Sequence, residues 1–143
     1  MAIQELLGKT LTRIVCGKDN DVLFFQSSCG QVYSMHHHPQ CCENVEIEDI
    51  CGDLDDLINS PLTLAEVVEN HDNPREDCQS FTWTFYKLGT MKGTVTIRWW
   101  GESNGYYSES VDFEALPRDV STGFSKAIEE LDQHTGGRWT RRP

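Results

Sequence analysis

The sequence predicts an α+β fold, in which an antiparallel β-sheet with a meander and hairpins is packed by one or two helices. Three observations favour it. Short stretches rich in β-branched and aromatic residues are separated by turn-forming residues. In the longest of these stretches, apolar side chains alternate with mostly polar ones. Near the C-terminus, Phe124, Ile128 and Leu131 recur at helical spacing. At 143 residues the chain fits one domain, 1–143, in which 135–143 form a basic tail.

The N-terminal third predicts a meander. Turn clusters at 17–21 and 27–30 divide three strand-like stretches, which are 10–16, 22–25 and 31–35. Val45 and Ile47 then alternate with acids, as in a half-buried strand. A single helical turn is expected at 53–58, followed by strand-like sequence at 62–68.

The second half contains the strongest β-pattern. Aromatic side chains alternate with threonine and tyrosine over 81–86, and a further strand is expected at 94–100. Asn104-Gly105 is the preferred pair for a type I′ turn, because both positions need a positive φ. The sequence therefore predicts a hairpin with a returning strand at 106–113. A C-terminal helix is expected over 121–133, with Gly136-Gly137 after it as the stop signal.

Charge and composition exclude several classes of partner. The net charge of −11 would repel DNA, whereas a small anion needs only a few local cations in a pocket. No apolar run is long enough to cross a bilayer, and the first seven residues lack the apolar core of a signal peptide. A cytoplasmic location is expected, with all six cysteines reduced and no membrane partner.

The segment 36–42, His-His-His-Pro-Gln-Cys-Cys, contains the residue types of a zinc site. Its spacing is poor, since adjacent residues of a strand point to opposite faces. Cys41 or Cys42 beside His38 has the residue types of a nucleophile and base, but no oxyanion hole or helix N-terminus is evident. No catalytic residue, metal ligand or cofactor is therefore assigned from sequence.

Chemistry suited to a ligand gathers at 98–108, which we call the hairpin segment. Aromatic faces stack on purines, while arginine and amide groups bond phosphate and ribose oxygens. Ordinary strand and turn preferences explain the same residues equally well. The candidate binding residues of this segment are Arg98, Trp99, Trp100, Asn104, Tyr106 and Tyr107.

Three stretches of the chain, 41–54, 82–88 and 95–109, resemble a family of phage proteins that includes the Thoeris anti-defense sponges. The resemblance covers about residues 6–113. It implies binding of glycocyclic ADP-ribose, the signal made by the TIR-domain protein of the Thoeris system, without cleavage. It also implies a pocket between protomers of a dimer or larger assembly, and cyclic trinucleotides held at separate sites in some members.

Carried over by position, the resemblance assigns ligand binding to Asn104 of the Asn-Gly-Tyr-Tyr turn. Thr94 stands where the family has an aromatic residue, so Trp99 or Trp100 would take that role. The arginines beyond the turn are matched by Arg118 as the partner-side cation, with Arg138 and Arg142 behind it. The expected function is sequestration by a homo-oligomer in the cytoplasm of the infected bacterium. The alternatives are a metal- or cysteine-dependent enzyme that degrades such a signal, and an interaction protein without a small ligand.

Overall fold

The computed structural model describes residues 3–17, 20–39, 42–70, 80–103 and 108–117. Over these residues the chain is mostly antiparallel β-structure, arranged as two four-stranded sheets. The strands are β1 (Leu11–Cys16), β2 (Val22–Ser27), β3 (Val32–His36), β4 (Asn44–Cys51), β5 (Leu64–Asn70), β6 (Ser80–Thr90), β7 (Gly93–Ser103) and β8 (Asp112–Ala115).

The first sheet has the order β1-β2-β3-β8, so the predicted N-terminal meander is confirmed. Its turns are closed by backbone hydrogen bonds, from Gly17 N to Val22 O (2.8 Å) and from Ser27 N to Gln31 O (2.9 Å). The second sheet has the order β4-β7-β6-β5, and its two 11-residue central strands pair along their whole length, from Ser80 opposite Ser103 to Thr90 opposite Gly93.

The predicted returning strand at 106–113 is wrong in its partner. Residues 108–111 are not in a strand, and β8 pairs with β3 in the first sheet. The physical reason is that β7 already has β4 on one side and β6 on the other, so it has no free edge. The pairing of β8 with β3 also buries Phe113, whose ring stacks on that of Tyr33 with centroids 5.5 Å apart.

The predicted packing of helices on the sheet is not supported. Helical structure in the described residues consists of two 3₁₀ turns, Ile3–Leu6 and Leu54–Leu57. The second turn confirms the expectation at 53–58, and Asp53 Oδ1 caps it by accepting from Asp55 N (3.0 Å). The predicted helix over 121–133 lies outside the described residues.

Sheet packs on sheet where helices were expected. Inward-facing side chains of both sheets join one hydrophobic cluster, which includes Phe25 and Met35 from the first and Ile97 and Trp99 from the second. The indole Nε1 of Trp99 donates to Met35 Sδ at 3.3 Å across the cluster. Each sheet therefore has one face in the core and one facing away from it.

Gly52, directly after β4, should be intolerant of any side chain. Its φ is +112°, and an added Cβ would lie 2.7 Å from the carbonyl oxygen of Thr94. We expect Gly52→Ala to lower the free energy of unfolding by about 1–3 kcal/mol more than Gly30→Ala, by overpacking against backbone. Gly30 is the matched control, because its φ is +92° but an added Cβ would meet open space. Urea denaturation measures both, and equal losses would contradict the steric argument.

Candidate functional site

The two long strands present an aromatic surface on the side of the second sheet that faces away from the core. Side chains alternate along β6 and β7, so Tyr86, Ile97 and Trp99 enter the core while their neighbours in sequence face the other way. Cross-strand pairing places Trp83 opposite Trp100 and Phe85 opposite Arg98. We call this surface the aromatic face, and its members are Phe81, Trp83, Phe85, Arg98 and Trp100.

The rings of the aromatic face contact one another. Trp83 and Trp100 meet edge to face with centroids 4.6 Å apart, and Phe81 stacks on Trp100 at 5.0 Å. Phe81 and Trp100 are buried, whereas Trp83 and Phe85 are half-buried. The face therefore has a packed end and a more accessible end, which is centred on Trp83.

Arg98 places a cation at the accessible end. Its guanidinium carbon lies 5.1 Å from the centroid of the Trp83 ring, a cation–π contact. Arg98 Nη2 also lies 3.8 Å from Asp49 Oδ2, with both side chains about two-fifths exposed (41% and 42%). Arg98 Nε is inaccessible to solvent and has no hydrogen-bond partner among the described residues. An ion pair this long and exposed contributes little, so a stronger anion can replace Asp49.

The structure separates the sequence-predicted site residues. Arg98 and Trp100 share the aromatic face, but Trp99 lies in the core with no exposed surface. Asn104, Tyr106, Tyr107, Arg118, Arg138 and Arg142 lie outside the described residues. Trp83 was missed as a site residue, although the alternation of 81–86 already placed it on one face with Phe81 and Phe85.

A buried carboxylate holds the chain where it leaves the hairpin segment. Glu109 is 8% exposed and accepts hydrogen bonds from Thr82 Oγ1 (2.8 Å) and from the Ser103 hydroxyl. Gly101 permits the close approach, since a Cβ there would lie 2.9 Å from Glu109 O. This anchor fixes residue 109 against the core side of β6 and β7, on the opposite side of the sheet from the aromatic face.

The cysteine and histidine segment departs from one expectation. Cys42 is disulfide-bonded, whereas Cys16, Cys29 and Cys51 are not in disulfides. The expectation that all thiols are reduced is therefore wrong, because it rested on cellular compartment alone and left out whether two cysteines lie close enough to bridge. A bridged Cys42 has no thiolate to act as a nucleophile.

The three consecutive histidines have different surroundings. His37 is nearly buried, donates from Nδ1 to Ser110 O (2.7 Å) and has Nε2 3.5 Å from Glu43 Oε1. Burial lowers the pKa of His36. A hydrogen bond to Glu114 raises the pKa of His38 and lowers the pKa of the Glu114 carboxyl. The segment therefore divides into a buried His37 and an outward-facing pair.

Cavities elsewhere suit an anionic ligand less well. One of about 330 Å³ lies beside His37, and its lining includes the acids Asp21, Glu43 and Glu46. Another, of about 260 Å³, is lined in part by Glu69, Asp112 and Glu114. Carboxylates at this density oppose the binding of phosphate. Three acids border the aromatic face too, since Glu46, Asp49 and Glu102 pair with Trp100, Arg98 and Phe81. It is the better candidate because it adds a cation, Arg98, beside the half-buried Trp83 ring.

A comparison with protein families matches residues 4–113 to a family described as Domain of unknown function (DUF7448). The chain belongs to the DUF7448 family. No curated protein and no solved structure matches it. In the described residues, no helix has the length and apolar character to span a membrane.

The DUF7448 match contains both sheets as far as Phe113 in β8, and so contains the whole aromatic face. Of the sequence-predicted site residues, it includes those of the hairpin segment. Arg118, Arg138 and Arg142 lie beyond it. The candidate site is thus part of the DUF7448 domain itself.

Proposed function

We propose that this DUF7448 protein binds and sequesters an anionic nucleotide signal without cleaving it. The observation that carries the proposal is the aromatic face, where Arg98 lies over the accessible Trp83 ring beside Trp100. The proposed ligand is glycocyclic ADP-ribose, with cyclic trinucleotides as a second class, and the choice rests on the resemblance of 95–109 to Thoeris anti-defense proteins. In this role the protein would block bacterial anti-phage defence.

The base and the phosphate of such a ligand each have a partner in the aromatic face. An adenine ring can stack on Trp83 or Phe85, since base–aromatic stacking contributes about 1–3 kcal/mol per base. A phosphate can bond the guanidinium of Arg98, whose side chain is 41% exposed.

Sequestration demands less of the site than degradation does. A sponge requires affinity and slow release, which stacking and a cation supply. Degradation requires an activated nucleophile or a metal-bound water. Of the two thiols considered from sequence as nucleophiles beside His38, Cys42 is disulfide-bonded and Cys41 lies outside the described residues.

The proposal includes a homo-oligomer, with Arg118 reaching the ligand from the partner. Supporting it, β5 has a paired strand on one side only in the part of the chain described, and two of its valines are exposed, Val67 (38%) and Val68 (48%). Edge strands of this kind pair readily with another chain. Sedimentation velocity at micromolar protein should show a dimer or larger species, and a monomer would contradict a shared pocket.

Ligand-dependent stability tests the proposed function. At a free ligand concentration of 100 times Kd, binding to the native state alone should add about 2.7 kcal/mol to the free energy of unfolding. Glycocyclic ADP-ribose should therefore raise the Tm in a concentration-dependent way, and adenosine should not at equal concentration. An interaction protein without a small ligand would show no shift with either compound.

Asn104→Asp should weaken ligand binding while leaving the fold intact. Aspartate also tolerates the left-handed backbone that a type I′ turn requires. The lost amide donor and the added negative charge would cost about 1.5–3 kcal/mol, or about ten- to a hundredfold in Kd. Isothermal titration with the cyclic nucleotide measures the change. If the variant binds as tightly as the parent chain, Asn104 is a turn residue only.

A further inference from the structure

The outer face of the first sheet brings two histidines and two carboxylates together. Antiparallel pairing sets His36 opposite Asp112 and Ser34 opposite Glu114. The side chains of His36, Asp112 and Glu114 therefore share one face of β3 and β8 with Ser34. His38 follows β3, and its ring lies 4.5 Å from that of His36, centroid to centroid. His38 Nε2 is 2.8 Å from Glu114 Oε1 and 3.8 Å from Asp112 Oδ2.

The separations match those that a small ion requires. One potential ligand atom from each of His36, His38 and Glu114 lies within 4.8 Å of the other two. Zinc binds imidazole nitrogen and carboxylate oxygen at about 2.0–2.2 Å, which places neighbouring ligand atoms roughly 3–4 Å apart. Rotation of the exposed His38 and Glu114 side chains, which are 60% and 44% exposed, can close the remaining distance.

The surroundings of His36 favour a metal ligand. Its Nδ1 lies 3.1 Å from the hydroxyl of Ser34, a buried residue. Metal-binding histidines commonly use one ring nitrogen for such a hydrogen bond, which fixes the ring and leaves the other nitrogen for the ion. Here the Ser34 hydroxyl bonds Nδ1 of His36, which leaves Nε2 of the same ring for the ion.

We propose that His36, His38 and Glu114 bind a zinc ion on this face, with Asp112 close enough to join or to neutralise its charge. Two histidines and one glutamate form a known zinc set that leaves a position open to water or another ligand. Bound there, the ion links β3 to the four-residue β8, the strand that crosses from the second sheet. The site is built from the first sheet, whereas the aromatic face belongs to the second, so it does not depend on the proposed function.

A simpler arrangement of the same residues is a surface ion pair between His38 and Glu114. Exposed ion pairs contribute little to stability, so exchanging this one for metal bonds costs little. The chain's net charge of −11 also attracts a divalent cation. His37 does not contribute, since its ring bonds Ser110 and faces Glu43 instead.

Calorimetric titration of zinc chloride into the chelator-treated full-length chain tests the site. We expect one saturable ion per chain. His38→Gln and Glu114→Gln should each weaken that binding by about tenfold or more, since even loss of an outer-shell partner costs 10- to 100-fold. Glu66→Gln is the matched control, because it removes the same charge from an exposed position in the other sheet. It should bind zinc like the parent chain.

Cobalt(II) gives a second readout that distinguishes this site from metal binding by cysteine thiolates. Bound by nitrogen and oxygen ligands, it should produce visible d–d bands without sulfur charge-transfer absorption, and Glu114→Gln should alter them. Absence of saturable zinc binding would overturn the proposal. So would a parent-like zinc affinity in both variants, or a thiolate spectrum that they leave unchanged.

Discussion

Replacing Trp99 by alanine is expected to lower the free energy of unfolding by about 3–5 kcal/mol, the range for truncating a buried tryptophan. The side chain has no exposed surface and contributes to the cluster between the two sheets. Truncation also removes the hydrogen bond that Trp99 Nε1 donates to Met35 Sδ at 3.3 Å. Small domains have net stabilities of about 5–15 kcal/mol, so the variant would lose much of its folded population at moderate urea.

Trp83→Ala provides the comparison for Trp99. Trp83 is half-buried on the aromatic face, so its removal leaves less of a cavity and should cost clearly less stability. Urea denaturation of both variants, followed by circular dichroism, gives the two losses. If Trp99→Ala were as stable as Trp83→Ala, the assignment of Trp99 to the core would be wrong.

Arg98→Ala should weaken binding of glycocyclic ADP-ribose by about ten- to a hundredfold. Hydrogen bonds to charged groups contribute about 1.5–3 kcal/mol, and each 1.4 kcal/mol changes Kd tenfold. Trp83→Ala should weaken binding by a comparable factor through the lost stacking surface, worth about 1–3 kcal/mol. Isothermal titration measures both, and circular dichroism checks that each variant is folded.

Arg13→Ala separates local contact from overall charge in this experiment. It removes the same side chain from β1 in the other sheet, and so changes the net charge equally. Its affinity for the ligand should match that of the parent chain. If Arg13→Ala weakened binding as much as Arg98→Ala, the effect would come from net charge and the aromatic face would not be the site.

The strands could be predicted from sequence because local alternation and turn residues determine them. The meander of β1 to β3, the strand around Val45 and the 3₁₀ turn after Asp53 all follow from such patterns. The partner of β8 could not be predicted this way. It depends on which strand edges remain open after β7 is paired on both sides, and that is a property of the assembled sheets.

The residue types of the candidate site could be predicted from sequence, but not which of their side chains face away from the core. Trp99 and Trp100 are adjacent and chemically identical, so only the register of β7 decides which enters the core. The cluster of His36, His38 and Glu114 was hidden because Glu114 is distant in sequence and reaches the histidines only through β3–β8 pairing. The disulfide of Cys42 likewise depends on a spatial distance that composition does not contain.

Recovery of the ligand after binding is the most direct test of sequestration. The protein is incubated with glycocyclic ADP-ribose below the protein concentration, free ligand is measured after filtration, and the protein is then denatured by heat. If the protein sequesters the ligand, filtration should show little free ligand and heating should return it chemically intact, whereas Arg98→Ala should leave most of it free from the start. A converted product in the supernatant would contradict sequestration and support the enzyme alternative, and ligand that stays free throughout would contradict binding itself.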